Sequence, residues 1–279
     1  MVNNALSNQM NNSTKLNNGI TMPLLGLGVY DMYKEAAEQA VEDALTIGYR
    51  LIDTASMYEN ELEIGNAIKS SGINREEIFL TTKLNNTDHG LDETLKAFDT
   101  SLQKLQQDYV DLYLIHWPIK EGRKQSWLAL EKLYAEKKVK AIGVANYTIP
   151  LLEELKSIAS IVPAVNQVEF SPWLFQEDLL AYCNEAGIQL QSYSPITRGL
   201  KFSDERLVLL CNKYNRTPAQ IVLNWHLQHG ISTIPKSSKK ERLQENFDAV
   251  NFTLSKEDVK TMNSFNEHFR ICDDPATYF

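Results

Sequence analysis

Eight short β-rich runs recur along the chain about 25 to 30 residues apart, the spacing of a strand-plus-helix unit, and they constrain the fold more than any other feature. They are LLGLGVY (24–30), RLIDTA (50–55), IFLTTKL (78–84), VDLYLIHW (110–117), VKAIGVAN (139–146), AVNQVEF (164–170), IQLQSYS (188–194) and ISTIPK (231–236). Between them lie segments such as YKEAAEQAVEDALTIG and LDETLKAFDTSLQKLQQ, whose apolar residues return every three or four positions against a charged face, the mark of an amphipathic helix. Many β runs are apolar on both faces. Buried parallel strands alternating with helices predict an α/β fold, a closed (β/α)8 TIM barrel rather than an open doubly wound sheet. The longer gap between 194 and 231 leaves room for an extra loop and helices late in the chain.

Upstream, KLNNGITM sets Asn18-Gly19 between apolar pieces, a two-residue hairpin signal, so an N-terminal β-hairpin cover is expected ahead of the barrel. No Gly/Ser/Pro-rich linker divides the remainder of the chain. The expected organisation is a polar, mobile tail over 1–14 and one barrel domain over 15–279.

Charge and cysteine content narrow the function classes. The net charge of −8 offers nothing to nucleic acid or an anionic membrane, so any basic site must be local. Cys183, Cys211 and Cys272 are far apart and odd in number, which suggests neither a metal site nor a disulfide framework. The first twenty residues are Asn-rich with no apolar stretch behind a basic start, and a cytoplasmic protein is expected.

In a barrel of this kind active sites form at the C-terminal ends of the strands. Asp53 ends the second run, Tyr58 sits in the loop after it, Lys83 lies near the end of the third and His116 near the end of the fourth. Consecutive strands would bring the four to one side of the mouth. An ammonium beside a phenol favours phenolate, so Lys83 is expected to lower the pKa of Tyr58, with Asp53 holding the lysine charged. Taken singly, Asp53–Lys83 can be a structural ion pair, the histidine a hydrogen-bonded strand end and the tyrosine a packing residue; position alone leaves both readings open.

A second cluster, IPKSSKKERLQEN (234–246), leaves the eighth run and enters a helix. Ser238 with Glu241 has capping-box spacing. Lys239, Lys240 and Arg242 in the first turns oppose the helix dipole, an unfavourable placement unless an anion binds there, so a phosphate site is expected. His226 and His229 share a helix face and read as surface or packing residues. Gly26-Leu27-Gly28 lacks the third glycine of a dinucleotide fingerprint.

In order and spacing, GYRLIDTASMYENELEIG, TTKL, DYVDLYLIHWP, AIGVANY, VNQVEF, YSP and IPKSSKKERLQEN resemble the motifs of the aldo-keto reductases, over nearly the whole chain from Lys15 to Asn263. The resemblance implies a barrel that binds NADPH across its mouth and reduces aldehydes or ketones. By the same matching, Tyr58 is the general acid, Lys83 and Asp53 tune it, and His116 orients the carbonyl. Tyr193 would stack on the nicotinamide, with Ser194 beside it, and Asn146 and Gln167 would hold the carboxamide. Lys236, Ser237 and Arg242 would hold the adenosine 2′-phosphate, and Glu245 and Asn246 the adenine.

Three positions depart from the family pattern. Ala145 replaces the usual serine before Asn146, removing a carboxamide hydrogen bond. Asn85 and Tyr30 stand where pocket tryptophans are common, while Trp117 remains; a more open, polar pocket for small aldehydes, dicarbonyls or keto sugars such as 2,5-diketo-gluconate is expected, in a monomer. The short tail after Asn266 is expected to form no deep lid. Two other functions fit parts of the pattern: a cofactor-binding, non-catalytic regulatory subunit of the same fold, and an aldolase forming a Schiff base at Lys83.

Overall fold

Inward-facing side chains on neighbouring strands show how the alternation in the β runs becomes a barrel. The computed structural model describes residues 12–278. Its strands are β1 (Ser13–Lys15), β2 (Thr21–Pro23), β3 (Leu27–Gly28), β4 (Leu51–Asp53), β5 (Phe79–Leu84), β6 (Val110–Ile115), β7 (Val139–Ala145), β8 (Val165–Glu169), β9 (Gln189–Tyr193) and β10 (Ser232–Thr233). Strands β3 to β10 pair in sequence order, all parallel, as one eight-stranded sheet. A parallel bridge between Leu25 and Thr233 joins first to last, with Gly26 N–H donating to the Thr233 carbonyl at 2.9 Å and Thr233 N–H to the Leu24 carbonyl at 2.7 Å, so the sheet closes on itself. Each of the eight runs read from the sequence contributes one strand.

Helices cover the outside: α1 (Lys34–Ile47), α2 (Glu61–Ser70), α3 (Leu91–Leu105), α4 (Arg123–Ala135), α5 (Ile149–Lys156), α6 (Glu177–Glu185), α7 (Glu205–Tyr214), α8 (Pro218–Gln228), α9 (Lys240–Phe247) and α10 (Lys256–Asn263). The long gap after β9 holds both α7 and α8. Helix α8 opens on a capping box, Thr217 with Gln220, and Pro218 at its first turn, where a missing N–H costs nothing.

Period-two alternation sorts the side chains into two cores. Ile52, Leu80, Tyr113, Ile115, Ile142 and Val144 pack outward against the helices. Leu51, Phe79, Leu112, Leu114, Ala141 and Val165 form the other core, which Leu16 and Met22 of the hairpin seal at the strands' N-terminal end. Continuing the same parity up each strand leads to Asp53, Lys83, His116, Gln167 and Tyr193. The barrel interior is therefore apolar at its base and polar at its mouth, and this gradient positions the site.

Two local expectations change. The hairpin is present, but its turn is a type I turn followed by a left-handed glycine: Gly19 N–H donates to the Leu16 carbonyl, Leu16 N–H to the Ile20 carbonyl, and Gly19 has φ 88° while Asn18 is not left-handed. The two-residue turn expected at Asn18-Gly19 needs positive φ at both central residues. Of the tail expected over 1–14, residues 1–11 lie outside the described residues, and Ser13 and Thr14 belong to β1.

His226 is a core residue of α8. It is fully buried, with Nδ1 2.8 Å from the Val222 carbonyl and Nε2 3.2 Å from Ser192 Oγ. Burial pulls its pKa down to about 4. The folded state then binds a proton less readily than the unfolded chain, so the stability His226 contributes is complete above the unfolded pKa near 6.5 and is lost as pH falls towards 4. Urea midpoints should fall steeply over that window, with about 3 kcal/mol assignable to this one group, and His226→Gln should flatten the slope.

Candidate active site

Strand β4 ends at Asp53, β5 carries Lys83 near its end, and Tyr58 sits in a short 3-10 turn (Ser56–Tyr58) after β4. That turn is tied down from both sides: Ser56 Oγ donates to the Lys83 carbonyl at 3.1 Å, and Asn60 donates to the carbonyls of Val29 and Met32 while accepting from Thr54. Tyr58 is thereby held over Lys83. Lys83 Nζ donates to Asp53 Oδ1 at 2.5 Å, to the Thr54 carbonyl at 2.9 Å and to Tyr58 Oη at 3.3 Å. Three acceptors around Nζ match the three N–H donors of an ammonium, and Lys83 is fully buried. The His116 ring meets Tyr58 edge-on at 5.5 Å between centroids. The structure thus brings together all four residues picked from the sequence.

Burial pushes the Asp53 carboxyl up and the Lys83 ammonium down, and the contact between the two opposes both shifts. His116 lies well below the ordinary imidazole value, first through burial and then through the charge of Lys83, and is neutral at pH 7. Its Nδ1 is buried without a partner. Tyr58 overturns an expectation: burial, then Asp53, raises its phenol well above 10, whereas Lys83 was expected to lower it. The ammonium's charge is largely spent on Asp53, so in the resting site desolvation of a phenolate wins. The phenol keeps its proton, and the 3.3 Å contact from Lys83 is in place to receive charge once the proton leaves.

Around this core Gln167 Nε2 donates to Asp53 Oδ2 and to Gln191 Oε1, both at 2.7 Å, and Gln191 donates on to Ser232 Oγ. Asn146 donates to the His116 carbonyl at 2.9 Å and accepts from Tyr193 Oη at 2.8 Å. Both nitrogen and oxygen of Asn146 are thus engaged, while no described donor meets Gln167 Oε1. Asn146, Ser194, Thr197 and Arg198 all have positive φ, an uncommon backbone state for such residues that collects at the mouth after β7 and β9. Ala145 is fully buried and paired in register with Gln167, so a serine at that position would face the same pocket.

The loop after β10 also differs locally from its sequence reading. Helix α9 starts at Lys240 with Lys239 as N-cap and no side-chain cap, so Ser238 and Glu241 form no capping box. Ser237 Oγ instead accepts from Lys239 N–H at 3.2 Å. The first-turn amides are left without side-chain acceptors, which favours an anion there. Lys236 lies 3.6 Å from Asp31 and Lys240 3.1 Å from Asp43, whereas Arg242 is exposed and makes no ion pair among the described residues. Glu245 accepts from Thr217 Oγ1 at 2.7 Å, and Asn246 is buried beside it.

Elsewhere around the mouth, Tyr30 is half exposed and packs its ring edge-on to Tyr58 at 5.2 Å, while Asn85 is half-buried. Trp117 is stacked by Tyr278 at 5.0 Å. Tyr278 was missed from sequence, as were Cys272, Gln191 and Glu169. The alternation from Gln167 could have found Glu169; the C-terminal residues have no periodic signal.

The sequence profile of the Aldo/keto reductase family matches residues 24–267. The chain belongs to that family. Glyoxal reductase of Bacillus subtilis (strain 168) is 47% identical over 267 residues, covering 95% of this chain and 97% of the relative. Among solved structures, MGS-M4, an aldo-keto reductase enzyme from a Medee basin deep-sea metagenome library, superposes with a TM-score of 0.92 at 46% identity, covering 94% of this chain and 98% of that one. A mutant of Gox0644 in complex with NADPH reaches a TM-score of 0.91 at 37% identity over 95% and 97% of the two chains. This aldo/keto reductase is accordingly an oxidoreductase of carbonyl chemistry, and among its described residues no helix is long and apolar enough to cross a membrane.

Proposed function

We propose that this aldo/keto reductase uses NADPH to reduce small aldehydes, dicarbonyls or keto sugars to alcohols, with Tyr58 as general acid and residues 15–279 acting as one catalytic domain. The observation that carries the reading is Lys83 Nζ within 3.3 Å of Tyr58 Oη while anchored on Asp53, beside the neutral His116 ring. A bound nicotinamide supplies the hydride. The chain's residues do the rest: His116 orients the carbonyl oxygen, Tyr58 gives it a proton, and Lys83 stabilises the phenolate left behind until solvent reprotonates it.

The fit to the cofactor rests on Gln167 Oε1, which no described donor meets, on the exposed Arg242, and on partly exposed groups around them. Gln167 Oε1 can accept from a carboxamide, the half-buried Tyr193 ring offers a stacking face beside Ser194, and Arg242, Lys236 and Ser237 with the open first turn of α9 suit a 2′-phosphate. Glu245 and Asn246 lie next along the same helix for the adenine. The substrate class draws support from the B. subtilis relative named for glyoxal reduction, and Tyr30, Asn85 and Trp117 would edge the substrate pocket.

Arg242 gives the cofactor choice a sharp test. Arg242→Ala should weaken NADPH binding by about 10- to 100-fold, the range for a hydrogen bond to a charged group, and leave NADH binding unchanged. Fluorescence titration with both cofactors reads this directly. Equal weakening of the two would move Arg242 away from the 2′-phosphate.

A further inference from the structure

The segment after α10 crosses the barrel mouth as a strap. Glu267 and Phe269 N–H both donate to the Trp173 carbonyl at 3.0 Å. Ile271 N–H then donates to Glu169 Oε1 at 2.7 Å and Cys272 N–H to Glu169 Oε2 at 3.1 Å. At the far end Arg123 Nη1 donates to the Tyr278 carbonyl at 3.3 Å, and the Tyr278 ring stacks on Trp117. The Cys272 thiol makes side-chain hydrogen bonds with Tyr193 and Ser194, which places this part of the strap against the end of β9 at the barrel mouth.

Glu169 ends β8 on the same inward parity as Gln167 and is 3% exposed. It makes no ion pair among the described residues; each carboxylate oxygen is instead occupied by one strap amide. A buried carboxylate is expensive unless its oxygens are satisfied, so the strap and the carboxylate stabilise one another. We propose that Glu169 is a positioning residue for the substrate side of the site: by accepting the Ile271 and Cys272 amides it fixes the strap, which sets Cys272 beside Tyr193 and Ser194 and Tyr278 on Trp117 as pocket walls. The clamp itself is independent of the reaction; its effect on substrate rests on the carbonyl-reductase reading above.

The strap carries its own reporter. Arg270 is the last basic residue, so trypsin can release residues 271–279 only by cutting within the clamped segment. Glu169→Gln keeps one acceptor but turns an NH2 towards the second amide, donor against donor. In the NADPH-loaded full-length protein this variant should be cut after Arg270 about 10-fold faster than wild type, as loss of a charged hydrogen bond implies, with its circular dichroism unchanged. Glu169→Asp, which retains two acceptors, should fall between the two. KM for methylglyoxal should rise about 10-fold in Glu169→Gln while kcat and NADPH affinity hold. A chain ending at Arg270 should show the same KM rise, and adding Glu169→Gln to it should change KM no further, because both changes remove one interaction. Wild-type cleavage rates in both Glu169 variants, or a KM effect that adds to truncation, would overturn the proposal. Absence of any carbonyl turnover would remove the function reading alone, since the cleavage rates still decide the clamp.

Discussion

Tyr58→Phe should lower kcat for carbonyl reduction by about 100- to 10,000-fold, the usual worth of a positioned general acid, with NADPH affinity unchanged. The substitution removes one oxygen and keeps the ring, so the edge contacts with Tyr30 and His116 remain and the fold should not register the change. The size of the loss reflects how the proton is held. Burial keeps the phenol protonated at rest, and Lys83 reaches its oxygen, so the site is arranged for charge that appears only as the proton leaves. Rapid mixing of the NADPH-loaded protein with methylglyoxal separates this from slow cofactor release. A loss confined to KM would assign Tyr58 to binding.

Lys83→Met should be the more damaging change to the fold. It leaves Asp53 buried with Gln167 as its remaining side-chain donor, and breaking a buried pair this way costs about 3–5 kcal/mol. The pH dependence has a definite sign. Without its ammonium the Asp53 carboxyl is pushed further up, so the penalty is absent below the unfolded carboxylate value, grows as pH rises through it and is complete above the folded value. The stability gap between variant and wild type should therefore narrow from pH 7 towards pH 4. Measuring the gap cancels the acid loss from His226, which both proteins share. A gap independent of pH would mean that Asp53 and Lys83 are not an ionised pair. Carbonyl reduction should be lost together with the lysine.

The barrel and the facing of Asp53, Lys83 and His116 were legible in the sequence because strands have period two, whereas Tyr58 lies in a turn off the strands. Once Leu51, Phe79 and Leu112 are placed in the interior, Asp53, Lys83 and His116 must face the mouth from adjacent strands. The direction of the Tyr58 shift was not legible, because it depends on how completely the folded site excludes water and on Asp53 absorbing the lysine's charge. Nor was the first residue of α9. Ser238 and Glu241 have capping spacing, but Ser237 binds the Lys239 amide and the helix begins later. The strap was the least legible part. Residues 264–278 carry no apolar repeat, and their path is set by Glu169 and Arg123, more than a hundred positions away in the chain.

Among possible measurements, NADPH consumption by the purified chain over a panel of methylglyoxal, glyoxal, an aromatic aldehyde and a keto sugar bears most directly on the central claim. The geometry of Tyr58, Lys83 and His116 predicts turnover with at least the small dicarbonyls, faster with NADPH than with NADH. Tight NADPH binding with no consumption across the whole panel would contradict it and mark the chain as a cofactor-binding, non-catalytic barrel.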